Sequence, residues 1–298
     1  MFNFLLQSII RFVSSMPLPR ALALGKKLGW FYGSVIRYHR KDALEALQRT
    51  FPEKSLEEIN GIIDRMYAQL GMNAVEISRL AGGKPDNLEQ RITIEGEDIA
   101  REVLAQGKGA LILVAHFGNW DLLGMFTAKR GYPLTIISKT IKNPTLNAMW
   151  MKLRNEYGVK IIPARNSYRD CLKVLRKNEL LGFILDQNRP LDQGVFVDFF
   201  GKSACTSPGL AYMAAQSKAP VMPVFIHRIS DSEHVLKVYP PLPPPPDREQ
   251  ASILAATQQY TKVIEDEIRK YPDHWLWIHR RWKTQPPKET APEGIKST

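Results

Sequence analysis

From residue 91 onward the chain alternates short apolar runs with segments of helical periodicity, and this alternation restricts its fold more than any other feature. "RITIEG" reads as a strand, a helix follows through Ile99–Gln106, and "GALILVA" at 109–115 is apolar throughout. Further strand candidates are "LTIIS" (134–138), "VKIIP" (159–163), "LLGFIL" (180–185), "APVMPVFIHRI" (219–229) and "HVLKVYP" (234–240). Apolar runs separated by helical segments predict an α/β domain built on a largely parallel, helix-covered sheet. After the polyproline connector "PPLPPPP" (240–246), residues 251–270 supply a final amphipathic helix. The α/β domain is expected to span 91–285, with a disordered tail over 286–298.

The chain ahead of residue 91 is different in kind. Residues 37–90 form a helical subregion, in which Leu56, Ile59, Ile63, Met66 and Leu70 lie on one stripe. Ser55 and Glu58 stand at capping-box spacing before that stripe, and "AGGKPDN" ends it. Residues 1–36 are rich in apolar side chains, but Arg11, Pro17, Pro19, Arg20, Lys26 and Lys27 interrupt them. A spanning helix needs about 18 or more consecutive apolar residues, and this stretch lacks them. At helical spacing, Asn3, Gln7, Arg11 and Ser14 share a narrow face, while Phe4, Leu5, Ile9, Phe12, Val13 and Met16 fill much of the rest. Two readings fit: a helix lying in a membrane interface, or a helix packed on the protein's own core. Trp30, Phe31 and Tyr32, after Lys26 and Lys27, favour the interface.

Forty-one Lys and Arg against thirty Asp and Glu leave a net charge of +11, which calls for an anionic partner without choosing among nucleic acid, membrane and acidic protein or substrate. Cys171 and Cys205 stand far apart with no metal-ligand spacing, so neither a disulfide framework nor a zinc site is expected.

The segment that carries chemistry is "LILVAHFGNWD". A buried strand ends at Ala115, His116 follows at once, Gly118 permits a tight turn, and Asp121 opens the next helix. Ligands bind at the carboxyl ends of strands in open α/β sheets, which is where His116 stands. Across such a corner, residues five apart converge, so Asp121 is expected to hold one ring nitrogen of His116 while the other faces substrate. An imidazole so oriented is a general base for a hydroxyl. Asp186 and Gln187 end the strand "LLGFIL", again at a carboxyl edge, and are candidates to shape the acceptor site, with a helix N-cap as the rival reading of Asp186.

"GKGALILVAHFGNWDLLG" resembles the signature of the bacterial lipid A late acyltransferases of lauroyl and myristoyl type, relatives of the glycerolipid acyltransferases. The likeness runs nearly end to end, through "FPEKSLEEI", "ILDQN", "VFVDFFGKSACTSPGLAYMA", "APVMPVF" and "YPDHWLWIHRRWKTQPP". Two departures stand out: Asp121 occupies a position where the lipid A enzymes usually carry Glu, and the N-terminus is shorter and more charged than the family's apolar anchor. The resemblance implies an enzyme on the cytoplasmic face of the inner membrane. It would move an acyl chain from acyl carrier protein or acyl-coenzyme A to a hydroxyl of a lipid A precursor or related glycolipid, with no cofactor. His116 would take the hydroxyl proton, and Asp121 would fix its tautomer. Arg154 is implied as an oxyanion or phosphate contact, with a solvated helix arginine as its alternative. Gly201 and Thr206, with Phe199 and Phe200, are implied around the acyl and headgroup site, although core packing explains the two aromatics equally well.

The closing block mixes Trp275, Trp277 and Trp282 with Arg280, Arg281 and Lys283. No nucleic-acid motif accompanies it, so lipid phosphate is the expected contact and no nucleic-acid partner is expected. His274 and His279 lack further ligands for zinc. Three other readings stay open: a non-catalytic membrane- or nucleic-acid-binding protein, a thioester hydrolase, and a phosphatidylinositol mannoside-type acyltransferase.

Overall fold

The computed structural model describes residues 2–287, so the expected tail lies outside the described residues except for Pro286 and Pro287. Five helices come first: α1 (Phe2–Ser15), α2 (Leu18–Trp30, continued by one π-helical turn over Phe31–Val35), α3 (Arg40–Thr50), α4 (Leu56–Ala81) and the single turn α5 (Leu88–Arg91). The alternating part follows as β1 (Ile92–Glu95), α6 (Glu97–Ala105), β2 (Ala110–Val114), α7 (Trp120–Lys129), β3 (Leu134–Ser138), α8 (Pro144–Glu156), β4 (Lys160–Pro163), α9 (Tyr168–Arg176) and β5 (Leu180–Ile184). A hairpin, β6 (Val195–Asp198) and β7 (Ser203–Thr206), leads to α10 (Gly209–Ser217), β8 (Val221–Arg228), β9 (His234–Val238) and α11 (Gln250–Lys270).

Seven strands form one sheet in the order β1-β9-β8-β2-β5-β3-β4. The five from β8 to β4 are parallel, as the alternation predicts; β9 runs antiparallel to β8, and β1 runs parallel to β9. Strand β2 lies at the centre and all five of its residues are buried. Leu111, Leu113 and Ala115 join one hydrophobic cluster with α9, α10 and α11, while Ala110, Ile112 and Val114 join a second with α6 and α7. Burial on both faces explains why its sequence is apolar without alternation.

Helix α4 contributes to both of these clusters and to a third with α1 and α2. The capping box at its start forms as expected: Glu58 N donates to Ser55 Oγ and Ser55 N to the Glu58 carboxylate. Along the expected stripe Ile59, Ile63 and Met66 are buried, whereas Leu56, in the first turn, is exposed. Helix α2 lies against α4 backbone to backbone. A Cβ added to Gly29 would stand 2.0 Å from Tyr67 O, and one added to Gly71 would stand 2.0 Å from Gly25 O.

Helix α1 packs on the protein by one face only. Ile10 and Val13 are buried against the protein, whereas Phe4, Leu5, Ile9 and Phe12 are exposed. Among the described residues no helix is long and apolar enough to cross a membrane.

Candidate active site

His116 is the second residue past the end of β2, and Asp186 is the second past the end of β5. The two strands pair in parallel with Val114 opposite Ile184, which brings the two residues side by side at the carboxyl edge. Asp186 is buried and grips His116 twice: His116 N donates to Oδ2 at 2.9 Å, and the ring Nδ1 donates to Oδ1 at 2.9 Å. A third donor, Trp275 Nε1, reaches Oδ2 at 2.7 Å. Burial raises the Asp186 pKa, but His116 and these hydrogen bonds outweigh it, so the carboxyl is held below its ordinary value. Burial likewise lowers the His116 pKa, and the charges of Asp186 and Asp121 reverse that to a net rise. With Nδ1 committed, Nε2 is the nitrogen left for chemistry. The amide of Gln187 stands 3.4 Å from it, and the Trp120 ring meets the imidazole edge-on, 5.0 Å between centroids.

The expected hydrogen bond between Asp121 and His116 is not formed. Asp121 lies in the first turn of α7, and its Oδ1 accepts from Arg154 Nη2 of α8 at 2.8 Å. Arg154 also reaches Ser138 Oγ at the end of β3 and lies over the Trp150 ring. Asp121 therefore acts on His116 through its field alone, and Asp186, expected at the acceptor site, is the residue that holds the ring.

The turn between β2 and α7 is fixed on several sides. Gly118 has φ +58°, and a Cβ there would stand 2.0 Å from Ile226 O. Its N–H donates to His274 O, and Leu276 N donates to His116 O, so the closing segment runs alongside the turn. Asn119 caps α7 by accepting from Leu122 N.

The family described as bacterial lipid A biosynthesis acyltransferase matches residues 1–284. The chain belongs to that family. It is 28% identical over 294 residues to the lipid A biosynthesis lauroyltransferase of Escherichia coli, covering 97% of this chain and 92% of that one. To the lipid A biosynthesis acyltransferase of Haemophilus influenzae it is 27% identical over 260 residues, 87% and 80% of the respective chains. It is also 25% identical over 225 residues to the phosphatidylinositol mannoside acyltransferase of Mycolicibacterium smegmatis, 72% of this chain and 69% of that one. The crystal structure of a 1-acyl-sn-glycerophosphate acyltransferase from Thermotoga maritima is similar with a TM-score of 0.40 at 15% identity, covering 87% of this chain and all of that one. Membership makes this chain an acyltransferase.

The remaining expected site residues of the acyltransferase are dispersed. Thr206 is fully buried, and its hydroxyl accepts from Arg281. Gly201 is exposed in the β6–β7 turn, where its N–H donates to Asp198. Phe199 and Phe200 are buried in an aromatic cluster with Trp275, Trp277 and Trp282. Contrary to expectation, the closing block does not offer headgroup contacts as a whole: Trp275, Trp277 and Arg281 are inside the protein, Trp282 is half-buried, and of these six aromatic and cationic residues Arg280 and Lys283 are the exposed ones. What the sequence reading missed was Trp275 as a donor to the buried carboxylate, and the tie between Asp186 and His116 itself. Both cysteines are buried, and burial pushes their thiol pKa values up.

Proposed function

We propose that this acyltransferase moves a fatty acyl chain from a thioester to a hydroxyl of a lipid A precursor or related glycolipid, with His116 as general base. The observation that carries the reading is the pair of hydrogen bonds that His116 N and Nδ1 donate to Asp186, which leaves Nε2 unused by any strong partner at the carboxyl edge of β2. A buried carboxylate on Nδ1 fixes the tautomer whose Nε2 accepts a proton, and it stabilises the imidazolium that results. The acceptor oxygen bonds to the thioester carbonyl carbon as Nε2 takes its proton. The C–S bond then breaks, and the departing thiolate recovers that proton. The Gln187 amide, beside Nε2, is a donor for the developing oxyanion. Arg154 and Asp121, paired at the same edge, orient the incoming substrate rather than the imidazole.

Acyl carrier protein or coenzyme A carries the acyl group in this reading, and the reaction takes place on the cytoplasmic face of the inner membrane. Support for the membrane side comes from the N-terminal helices. Phe4, Leu5, Ile9 and Phe12 of α1, with Leu28, Trp30, Phe31, Val35 and Ile36 after them, are large apolar side chains turned to solvent.

The purified protein, given radiolabelled acyl thioester of either carrier and a lipid A precursor, is expected to yield labelled lipid, and His116→Ala to yield none. Near-normal transfer by folded His116→Ala would remove the base assignment. Transfer to a phosphatidylinositol mannoside alone would reassign the acceptor.

A further inference from the structure

Two side chains of α4 take no part in the reaction as described, yet they hold the turn that carries His116. Asn73 is buried, donates from Nδ2 to Gly118 O at 2.7 Å, and accepts at Oδ1 from Arg228 Nη2 at 2.7 Å. Glu76, one turn further along α4, is 3% exposed. Its Oε2 accepts from Asn119 Nδ2 at 3.0 Å and Arg228 Nη2 at 2.5 Å. Its Oε1 accepts from Arg91 Nη2 at 2.5 Å and His234 Nε2 at 3.0 Å. Four donors saturate the carboxylate, which has about four acceptor positions.

Asn119 is the telling partner. Its Oδ1 caps α7 at Leu122 N, and its Nδ2 binds Glu76. An ionised carboxylate only accepts, so Glu76 dictates which way the Asn119 amide faces, and thereby keeps the oxygen on α7. Gly118 O and the Asn119 side chain, two and three residues beyond His116, are thus both gripped from one face of α4. Burying a carboxylate between two guanidiniums is not an efficient source of stability, because desolvation offsets most of the attraction. Orientation is what such a network supplies.

We infer that Asn73 and Glu76 are positioning residues, which set the place of the His116–Asn119 turn on the sheet and with it the direction of Nε2 and the start of α7 carrying Asp121. The inference rests on His116 being the base. Its weight falls on turnover rather than substrate binding, since a misplacement of about 1 Å can cost roughly a hundredfold in rate.

The test uses the full-length protein. Asn73→Asp is isosteric and keeps an oxygen for Arg228, but it turns an acceptor toward Gly118 O. Asn119→Ser keeps a capping oxygen and loses the donor to Glu76. Each is expected to lower kcat by about tenfold or more, with KM for thioester and acceptor within about twofold and a melt that stays cooperative and lies above the assay temperature. These two variants serve in place of Glu76→Gln, which leaves buried guanidiniums facing an amide and can unfold the chain. Wild-type kcat in either folded variant would overturn the inference, as would a loss of kcat matched by loss of folded protein. An inactive His116→Ala beside a fully active Asn73→Asp would overturn the positioning role and leave the base assignment standing. An active His116→Ala would overturn both.

Discussion

Asp186 holds the direction of the His116 ring and, on the proposed mechanism, would set the pH at which that ring serves as a base. Burial lowers the imidazole pKa, and the charges of Asp186 and Asp121 raise it above its ordinary 6.5. A base must be unprotonated, so kcat/KM is expected to rise with pH through an apparent pKa above 6.5. Asp186→Asn removes the largest favourable charge and leaves the burial. The acid limb should therefore move to lower pH, while the plateau falls by about 10²–10⁴-fold because the ring loses its orienter. A pH profile that stays in place in a folded Asp186→Asn protein would contradict this account. The same buried environment argues against an acyl-enzyme. Cys171 and Cys205 are buried with raised pKa values, and thiolates rather than thiols are nucleophilic. The double variant Cys171→Ser, Cys205→Ser should keep most of its activity, and labelled donor supplied alone should leave no label on denatured wild-type protein. The position of His116 at the carboxyl end of a strand could be read from the sequence, because an apolar run ends just before it. Its partner could not. Spacing along one chain favours Asp121, whereas the contact with Asp186 depends on β2 and β5 being neighbours in register, seventy residues apart.

The strands and long helices could be read from periodicity for the same reason that they form: apolar side chains repeat wherever a face is buried. The exceptions are elements without such a repeat. Hairpin β6–β7 has only four residues in each strand, and its fixed points are the Phe199–Phe200 cluster and Arg281 donating to Cys205 O and Thr206. The glycines of α2 gave no hydrophobic signal, yet Gly25, Gly29 and Gly33 recur every fourth residue against Tyr67 and Gly71 of α4. Small residues at that interval let two helix backbones touch, and here they fuse the N-terminal helices to the helix that braces the active-site turn. Gly71→Val places new carbon against Gly25 O and the Gly29 backbone, with no flexible side chain to yield. It should cost about 1–3 kcal/mol or more, read as a lower midpoint in urea. Gly61→Ala is the matched control on α4, since its Cβ meets only the end of the Arg65 side chain, at 3.2 Å. That change should be neutral or add roughly 0.5–1 kcal/mol. Equal effects from the two variants would show that helix propensity, not the close approach, decides the outcome.

Across the whole molecule, exposed large apolar side chains gather on the N-terminal helices, where residues 1–36 carry four Lys and Arg and no Asp or Glu within a chain of net charge +11. On α1, Phe4, Ile9 and Phe12 are 78%, 48% and 60% exposed, so together they contribute little to the protein's own core. Arg11 lies among them, Arg20 and Lys27 follow on α2, and all three are exposed, while Lys26 is tied to Asp231. An apolar face bordered by cations suits the boundary between headgroups and acyl chains, with the cations left among lipid phosphates. Because α2 is locked to α4, docking of that face on a bilayer would also fix how the proposed active-site edge is presented to it. Replacing Phe4, Ile9 and Phe12 together by Glu should leave the melting transition nearly unchanged, since surface substitutions typically shift stability by less than about 0.5 kcal/mol each. Flotation with vesicles containing anionic lipid should then collapse. Wild-type flotation should weaken with added salt but persist in part, because charge attraction is screened beyond about 10 Å at 0.1 M whereas apolar insertion is not. Turnover on a glycolipid embedded in vesicles should fall with flotation, and turnover on the same acceptor in detergent micelles should hold near wild type, since the triple variant leaves His116, Asp186 and α4 untouched. Flotation of the triple variant as efficient as wild type would show that this face does not dock. Equal losses of turnover in vesicles and micelles would show that the substitutions act on the fold rather than on the surface.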